Sequence, residues 1–290
     1  MNILIAGKGS YVGQNIKRWL EKNGEFKVDE LDLLDEHWVK FDCSSYHSVI
    51  HVSAIVHRPN ENIDWETYYN INSLLPKKVA ELAKGAGVKQ FIFLSSMAVY
   101  GQGKKLPYGN IIDFNTPLEP KSYYGKSKYE AEFLLKQLRD DNFRICIVRP
   151  PNIYGKNCMG NYFDGFVRLT KYLPIFPKAF ELSKQSFLYI DNLSEFLRLQ
   201  ITHNTDGVFM PQDGSPISTI EFMQNIAVVL NKRIYFSRLL GVILKFFMRL
   251  NIVNKVFGGI SYDISLSHFD KVDYALCSYQ DAIRKSIQGD

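Results

Sequence analysis

The stretch Asn2-Ile-Leu-Ile-Ala-Gly-Lys-Gly-Ser-Tyr-Val-Gly13 opens the chain and sets its fold class. Ile3 to Ala6 form a continuous apolar run, as expected of a short strand buried on both faces. Three glycines follow, and helical periodicity begins at residue 12 and runs to 22. Gly7 allows a sharp turn. Gly9 and the small Ser10 allow the backbone to approach a pyrophosphate, and Gly13 lets helix and strand pack closely. Amides at the helix start, from Tyr11 and Val12, give a positive partial charge suited to phosphate. About twenty residues further on, where a ribose-binding acid belongs, stands Asp32, at the end of a second predicted strand over 26–33. A carboxylate there repels a 2′-phosphate. NAD is therefore the expected cofactor, with NADP as the alternative because Lys40 and Arg58 have no assigned place.

The same alternation continues downstream. Strands are predicted at 48–52, 90–94 and 144–148, with helical stretches at 65–85 and 123–139. Strands separated by helices imply an α/β fold with a doubly wound parallel sheet. The alternation fades near residue 155, where short helical runs are broken by Pro174, Pro177, Pro211 and Pro216. The expected organisation is a dinucleotide-binding domain over 1–155, with segments around 184–200 returning to it. Residues 156–290 are expected to form mostly a smaller region capping the substrate.

Tyr124 and Lys128 lie in the run Ser122-Tyr-Tyr-Gly-Lys-Ser-Lys128. Four-residue spacing sets both side chains on one helix face. An ammonium beside a phenol favours the phenolate, so Lys128 is expected to lower the Tyr124 pKa. Such a tyrosine can take or return a hydroxyl proton.

Together with the glycine turn, these residues resemble the extended short-chain dehydrogenase/reductase family, in its nucleotide-sugar epimerase/dehydratase branch. Further segments match in order: Val49-Ile-His-Val-Ser-Ala54, Asn72, Leu94-Ser-Ser-Met-Ala-Val-Tyr-Gly101, Arg149-Pro-Pro-Asn-Ile-Tyr-Gly155 and Leu188-Tyr-Ile-Asp-Asn-Leu193. The resemblance implies a Rossmann-type sheet, a nucleotide-sugar substrate and a catalytic set of Ser96, Tyr124 and Lys128. Ser96 would bind the hydroxyl that becomes a ketone, Tyr124 would be the base, and Lys128 would hold the nicotinamide ribose. It also implies that Asp42 reads the adenine edge, with Cys43, Ser53, Ala54 and Pro151 alongside the cofactor. Asn152 and Asn161 would contact the substrate, and Ser95 is read as structural. A homodimer built on the helices at 65–85 and 123–139 is implied as well.

Two departures stand out. Ser10 replaces a usual glycine, so a changed pyrophosphate contact is expected. Gln185 stands where the family carries an arginine that grips the substrate diphosphate. Lys184 beside it offers a point charge without the bidentate fork. The family's dehydratases carry Thr-Asp-Glu where this chain has Ser96-Met97-Ala98. Met and Ala carry no protons, so water elimination is not expected. A 4-epimerase working through a transient 4-keto sugar is the reading adopted. The alternatives are a 4-ketoreductase of a 4-keto-6-deoxy sugar and a non-turning-over NAD-binding regulator.

Composition narrows the rest. The 290 residues carry a net charge of +5 without a long basic block, which argues against nucleic acid and suits an anionic substrate. Four dispersed cysteines show neither metal spacing nor a disulfide framework, and no signal-peptide pattern opens the chain, so a cytoplasmic location is expected. His51 and His57 are read as packing and loop residues. Residues 239–257 are very apolar but broken by Lys245, Arg249, Asn251, Asn254 and Lys255. They are read as a core or dimer-facing helix, with a helix lying on a membrane surface as the alternative.

Overall fold

Six short strands make the central sheet of the computed structural model: β1 (Asn2–Ala6), β2 (Lys27–Leu31), β3 (Ser48–His51), β4 (Gln90–Leu94), β5 (Arg144–Val148) and β6 (Gly207–Phe209). They lie in the order β6-β5-β4-β3-β1-β2, and every neighbouring pair is parallel. Among the helices are α1 (Tyr11–Glu21), α2 (Trp65–Tyr69), α3 (Leu75–Gly85), α4 (Tyr123–Lys136) and α5 (Ile190–Thr202). The described residues are 1–22, 24–56, 63–101, 103, 106–158, 162–269 and 273–289. The doubly wound α/β reading therefore holds. The strand order reverses between β1 and β3, and a crevice at such a switch point is where this architecture binds ligands.

The inner strands β1, β3, β4 and β5 are largely apolar because both faces are covered. One face presents Leu4, Val49, Phe91, Phe93, Ile145 and Ile147, which cluster with Val79 and Ala83 of α3 and Ala131 and Leu135 of α4. The alternate residues Ile3, Ile5, Ile50 and Ile92 point the other way and are also fully buried. On that side Trp19 of α1 donates its indole N–H to Glu195 of α5 at 3.0 Å.

The predicted helix over 65–85 is interrupted. Pro76 has no N–H to return to Asn72, so the regular ladder cannot pass through it. The chain instead forms a wider π turn over Asn70–Leu74, closed by the Leu75 N–H on the Asn70 carbonyl. This turn buries Asn72 and Ser73 completely.

The chain divides into two units. Unit 1 holds the sheet and comprises 1–101, 117–150 and 193–211. Unit 2 comprises 102–116, 151–192 and 212–290. These bounds differ from the expected ones. The return to the first unit begins at Leu193, and 102–116 belongs to unit 2. Short strands with distant partners cause the difference. Asn110–Ile112 pairs with Ile260–Tyr262, and Asn152–Tyr154 pairs with Phe187–Tyr189. Unit 2 has an aromatic core in which Phe187 stacks on Phe222 at 4.3 Å between ring centroids.

His51 is a packing residue. It is fully buried between Phe91 and Phe93, and among the described residues neither ring nitrogen has a hydrogen-bond partner. Burial pulls its pKa down to about 3, helped by the charge of Lys128. A folded pKa below the ordinary value makes a contribution that is full above pH ~6.5 and is lost as pH falls, at roughly 1.4 kcal/mol per pH unit. Between pH 7 and 5, wild type should therefore lose about 2 kcal/mol more than His51→Leu. Urea midpoints at both pH values measure this, and equal losses would remove His51 as the source.

Candidate active site

Gly7 has φ +128°, and a Cβ there would meet Val52 Cγ2 at 2.9 Å and the Ser53 nitrogen at 3.0 Å. The turn is thus glycine-only on two counts, and it brings the half-buried Ser53–Ala54 segment against the start of α1. Gly7 and Lys8 both donate their N–H to the Leu31 carbonyl at 3.1 Å, which folds the turn over the end of β2. Ser10 is the N-cap of α1, its Oγ accepting from Gly13 N at 3.1 Å. The hydroxyl is thereby committed to the helix. The Val12 N–H takes no protein partner among the described residues, and Tyr11 precedes it at the positive end of the helix. A glycine cradle, a close helix start and a switch-point position fit a dinucleotide pyrophosphate.

Two carboxylates lie near this turn, and the sequence pointed to only one. β2 ends at Leu31, so Asp32 sits just past the strand. Its Oδ1 accepts from Leu34 N at 3.0 Å. Glu30 is the one that reaches the turn. Its Oε1 accepts from Gly9 N at 3.1 Å, and its Oε2 lies 3.6 Å from Lys17 Nζ. The alternation of β2, which sets Glu30 and Asp32 on one face, was the available signal. Asp42 is exposed and accepts from Ser44 N at 2.8 Å, which holds its carboxyl below the usual range. Cys43 packs into the core under the sheet, and burial pushes its thiol up to about 11. Its side chain is therefore unavailable to a cofactor, and only its main chain remains for that role.

The catalytic candidates converge at the end of β4. Ser96 caps the 3-10 turn Met97–Tyr100, its Oγ accepting from Ala98 N at 3.1 Å. Ser122 caps α4 in the same way, accepting from Gly125 N at 3.0 Å. Gly125 lets α4 approach this turn, since a Cβ there would lie 2.6 Å from the Ala98 carbonyl oxygen. The approach brings the Ser96 hydroxyl close enough to the Tyr124 phenol to favour its ionised form. Asn72 fixes the other side of α4. It accepts from Ile55 N and donates to Ile55 O, both at 2.9 Å, and donates to Ser127 Oγ at 3.0 Å.

The expected depression of the Tyr124 pKa is not what the structure gives. Burial raises it, and the nearby Ser96 hydroxyl only partly opposes this. Lys128 is turned elsewhere. Its Nζ donates to the Leu94 carbonyl at 2.7 Å and lies 4.5 Å from the Phe93 ring centroid. Burial also pulls the lysine down to about 7, against the opposing pull of Glu132. Desolvation outweighs the opposing Ser96 hydroxyl for Tyr124 and the opposing charge of Glu132 for Lys128.

Beneath them is a buried ion pair. Arg149 grips Glu132 with two hydrogen bonds, Nε to Oε1 at 2.9 Å and Nη2 to Oε2 at 2.6 Å. Ser95 Oγ donates to the same carboxylate at 2.6 Å, and Arg149 Nη1 donates to Tyr100 at 2.9 Å. Ser95 is thus structural, and Ser96 is left at the surface of the site.

The remaining candidates belong to unit 2. Pro151 is buried, and Asn152 beside it is exposed on the strand paired with Phe187–Tyr189. Lys184 is exposed. Gln185 is buried, its Nε2 3.4 Å from Thr219 Oγ1 and its Oε1 without a partner among the described residues. Gln185 therefore faces the interior of unit 2 rather than a solvent-borne substrate. Asn161, His57 and Arg58 lie outside the described residues.

The model of the NAD dependent epimerase/dehydratase family matches residues 3–207. The UDP-glucose 4-epimerase of Vibrio cholerae is 30% identical over 292 residues, covering 91% of this chain and 88% of that protein. The N-acetyl-alpha-D-glucosaminyl-diphospho-ditrans,octacis-undecaprenol 4-epimerase of Escherichia coli O157:H7 is 25% identical, covering 80% and 73%. Among solved structures, the Bordetella bronchiseptica enzyme WbmG in complex with NAD shares the fold, with a TM-score of 0.69, 19% identity and coverage of 99% and 92%.

The buried pair gives a direct test. Arg149→Met leaves the buried Glu132 charged with only the Ser95 hydroxyl and, at 3.9 Å, the half-exposed Lys136 ammonium as partners, which should cost about 3–5 kcal/mol. Adding Glu132→Gln should recover much of that loss in chemical denaturation. A double variant no more stable than Arg149→Met would show that the bidentate pair is not the source.

Proposed function

The chain belongs to the NAD dependent epimerase/dehydratase family, and we propose that it inverts C4 of a hexose or N-acetylhexosamine carried on a diphosphate, with UDP as the first carrier to test. As a member of that family it is an NAD-dependent enzyme of sugar-nucleotide chemistry. The grouping of Ser96, Tyr124 and Lys128 at the end of β4, beside a glycine turn shaped for a dinucleotide, carries the reading. Met97 and Ala98 support it further, since neither side chain can serve as the acid or base that water elimination needs.

The residues that would hold NAD are the turn from Gly7 to Gly13, with Glu30 and Asp32 on the ribose side and Ser53–Ala54 opposite. NAD supplies the reversible oxidation and reduction of C4. The Tyr124 phenolate takes the proton from the 4-hydroxyl and returns it from the phenol after the sugar has turned over. Ser96 donates a hydrogen bond to that oxygen as it changes between hydroxyl and ketone, which holds it against Tyr124. Lys128, at the edge of titration near neutral pH, supplies the positive charge that Tyr124 needs in order to ionise. Asn152 and the exposed Lys184 are the unit 2 side chains proposed to meet the sugar diphosphate. The inward turn of Gln185 leaves that grip to a point charge rather than a fork. The carrier is left to experiment, because the two relatives named above differ in it by their names. The homodimer expected through α2–α3 and α4 belongs to the same proposal.

Purified protein with UDP-N-acetylglucosamine and catalytic NAD should generate the galacto epimer by NMR without net NADH. Stoichiometric cofactor oxidation with a 4-keto-6-deoxy sugar, and no epimer, would make the protein a reductase instead. Tyr124→Phe should lower kcat by at least about 10²-fold while NAD binding, read by fluorescence quenching, stays unchanged. Activity retained in this variant would remove Tyr124 as the base.

A further inference from the structure

The helix Arg238–Phe246 in unit 2 is amphipathic the wrong way round for a core helix. Its inner line is narrow. Gly241 is buried so tightly against Lys178 that a Cβ would collide with the Lys178 carbonyl, and Leu244 packs on the cluster of Ala179, Phe180 and Val253. The opposite line is Leu239, Val242, Ile243 and Phe246, at the i, i+3, i+4, i+7 spacing of an apolar stripe. All four are exposed, Leu239 by 71% and Phe246 by 83%. Phe247, Met248, Leu250 and Ile252 extend the exposed apolar surface. A patch of this kind on a soluble chain marks something that covers it.

Charge identifies the cover. Residues 222–262 hold six Lys/Arg and no Asp/Glu, against a net +5 for the whole chain, so everything else nets −1. Arg233, Arg238, Lys245 and Arg249 of this segment are exposed around the apolar stripe. A two-fold contact with a second copy would press the same positive surface against itself, which disfavours self-association here. An anionic bilayer satisfies both features, taking the stripe below the headgroups and the cations at their level. Beside the helix, Val242, Phe246 and Met248 wall a groove of about 640 Å³ with Tyr108 and Leu182 across it. Its one carboxylate, Glu181, is paired with Lys178 at 3.7 Å. Among the described residues no helix is long and apolar enough to cross a membrane, so the contact is one of lying on the surface.

We propose that the outward face of Arg238–Phe246, continued to Ile252, docks on an anionic lipid bilayer, with the adjoining groove open to a lipid chain. Docking stands independently of the proposed chemistry. If both hold, the sugar diphosphate on which the enzyme acts is one anchored in that bilayer.

The test is sedimentation of the full chain at low salt with vesicles of phosphatidylcholine containing about one-third phosphatidylglycerol. Binding is expected there, with at least about tenfold less on phosphatidylcholine alone and on anionic vesicles with Val242→Glu/Phe246→Glu. Both side chains are exposed, so the variant should keep the wild-type melting temperature and NAD binding. Failure of wild type to bind anionic vesicles overturns the proposal, as does equal binding by the variant. A dimer in light scattering that the double variant separates, without vesicle binding, assigns the face to a second copy and also overturns it. No substrate enters the assay, so vesicle binding without epimerisation would reject the catalytic reading alone.

Discussion

The Glu132 carboxylate is the point to which the catalytic side of unit 1 is tied. Tyr124, Lys128 and Glu132 follow one another at four-residue intervals on α4. They therefore form one line on the helix, proposed base first and anchor last. The anchor is held by Arg149 just past β5 and by Ser95 just past β4. A shift of α4 by one residue would carry Glu132 away from both. Burying two charges costs about as much as their attraction returns, so the pair is better understood as fixing register than as adding stability. Gly125 and Asn72 complete the constraint, one by removing a clash with the Ala98 carbonyl, the other by pinning Ile55 and Ser127.

Around this anchor burial works against the charged forms of three further groups. His51 is held neutral by burial, Tyr124 is pushed towards its phenol form, and Lys128 is drawn down to about 7. The three share one physical origin, the loss of water on the face of the sheet covered by α3 and α4. The consequence for chemistry is that Tyr124 is not a phenolate at rest. Its ionisation depends on positive charge arriving close to it, and Lys128, whose ammonium now faces the Leu94 carbonyl, must be charged to contribute.

The sheet was legible because buried parallel strands are apolar runs bounded by glycine and polar turns, and β1, β4 and β5 end where the sequence places them. β6 was not, since Gly207–Phe209 is three half-buried residues on an edge and has no pattern of its own. Nor was the π turn, which arises from one missing N–H at Pro76 in an otherwise helical period. Spacing singled out Tyr124 and Lys128, and the family resemblance added Ser96, but neither reports solvation, and the direction of the Tyr124 shift is a solvation effect. Distance along the chain likewise suggested Asp32 near the glycine turn. Contact with Gly9 belongs to Glu30, because a strand pattern offers both residues on one face and only packing chooses between them.

Unit 2 shows how a single glycine can decide where an apolar stripe goes. A helix with Leu239, Val242, Ile243 and Phe246 on one face would ordinarily turn that face inward and gain the transfer free energy of four large side chains. Here the smallest residue of the helix, Gly241, is on the inner line and sits on the Lys178 backbone. Any rotation that brought the stripe inward would drive a bulky side chain into that backbone. The helix is therefore fixed with its apolar face out, and the absence of acidic residues across 222–262 fixes the sign of the surface around it. Apolar area alone would leave the covering molecule open. Apolar area with charge of one sign narrows it to a surface that is oily within and anionic at its edge.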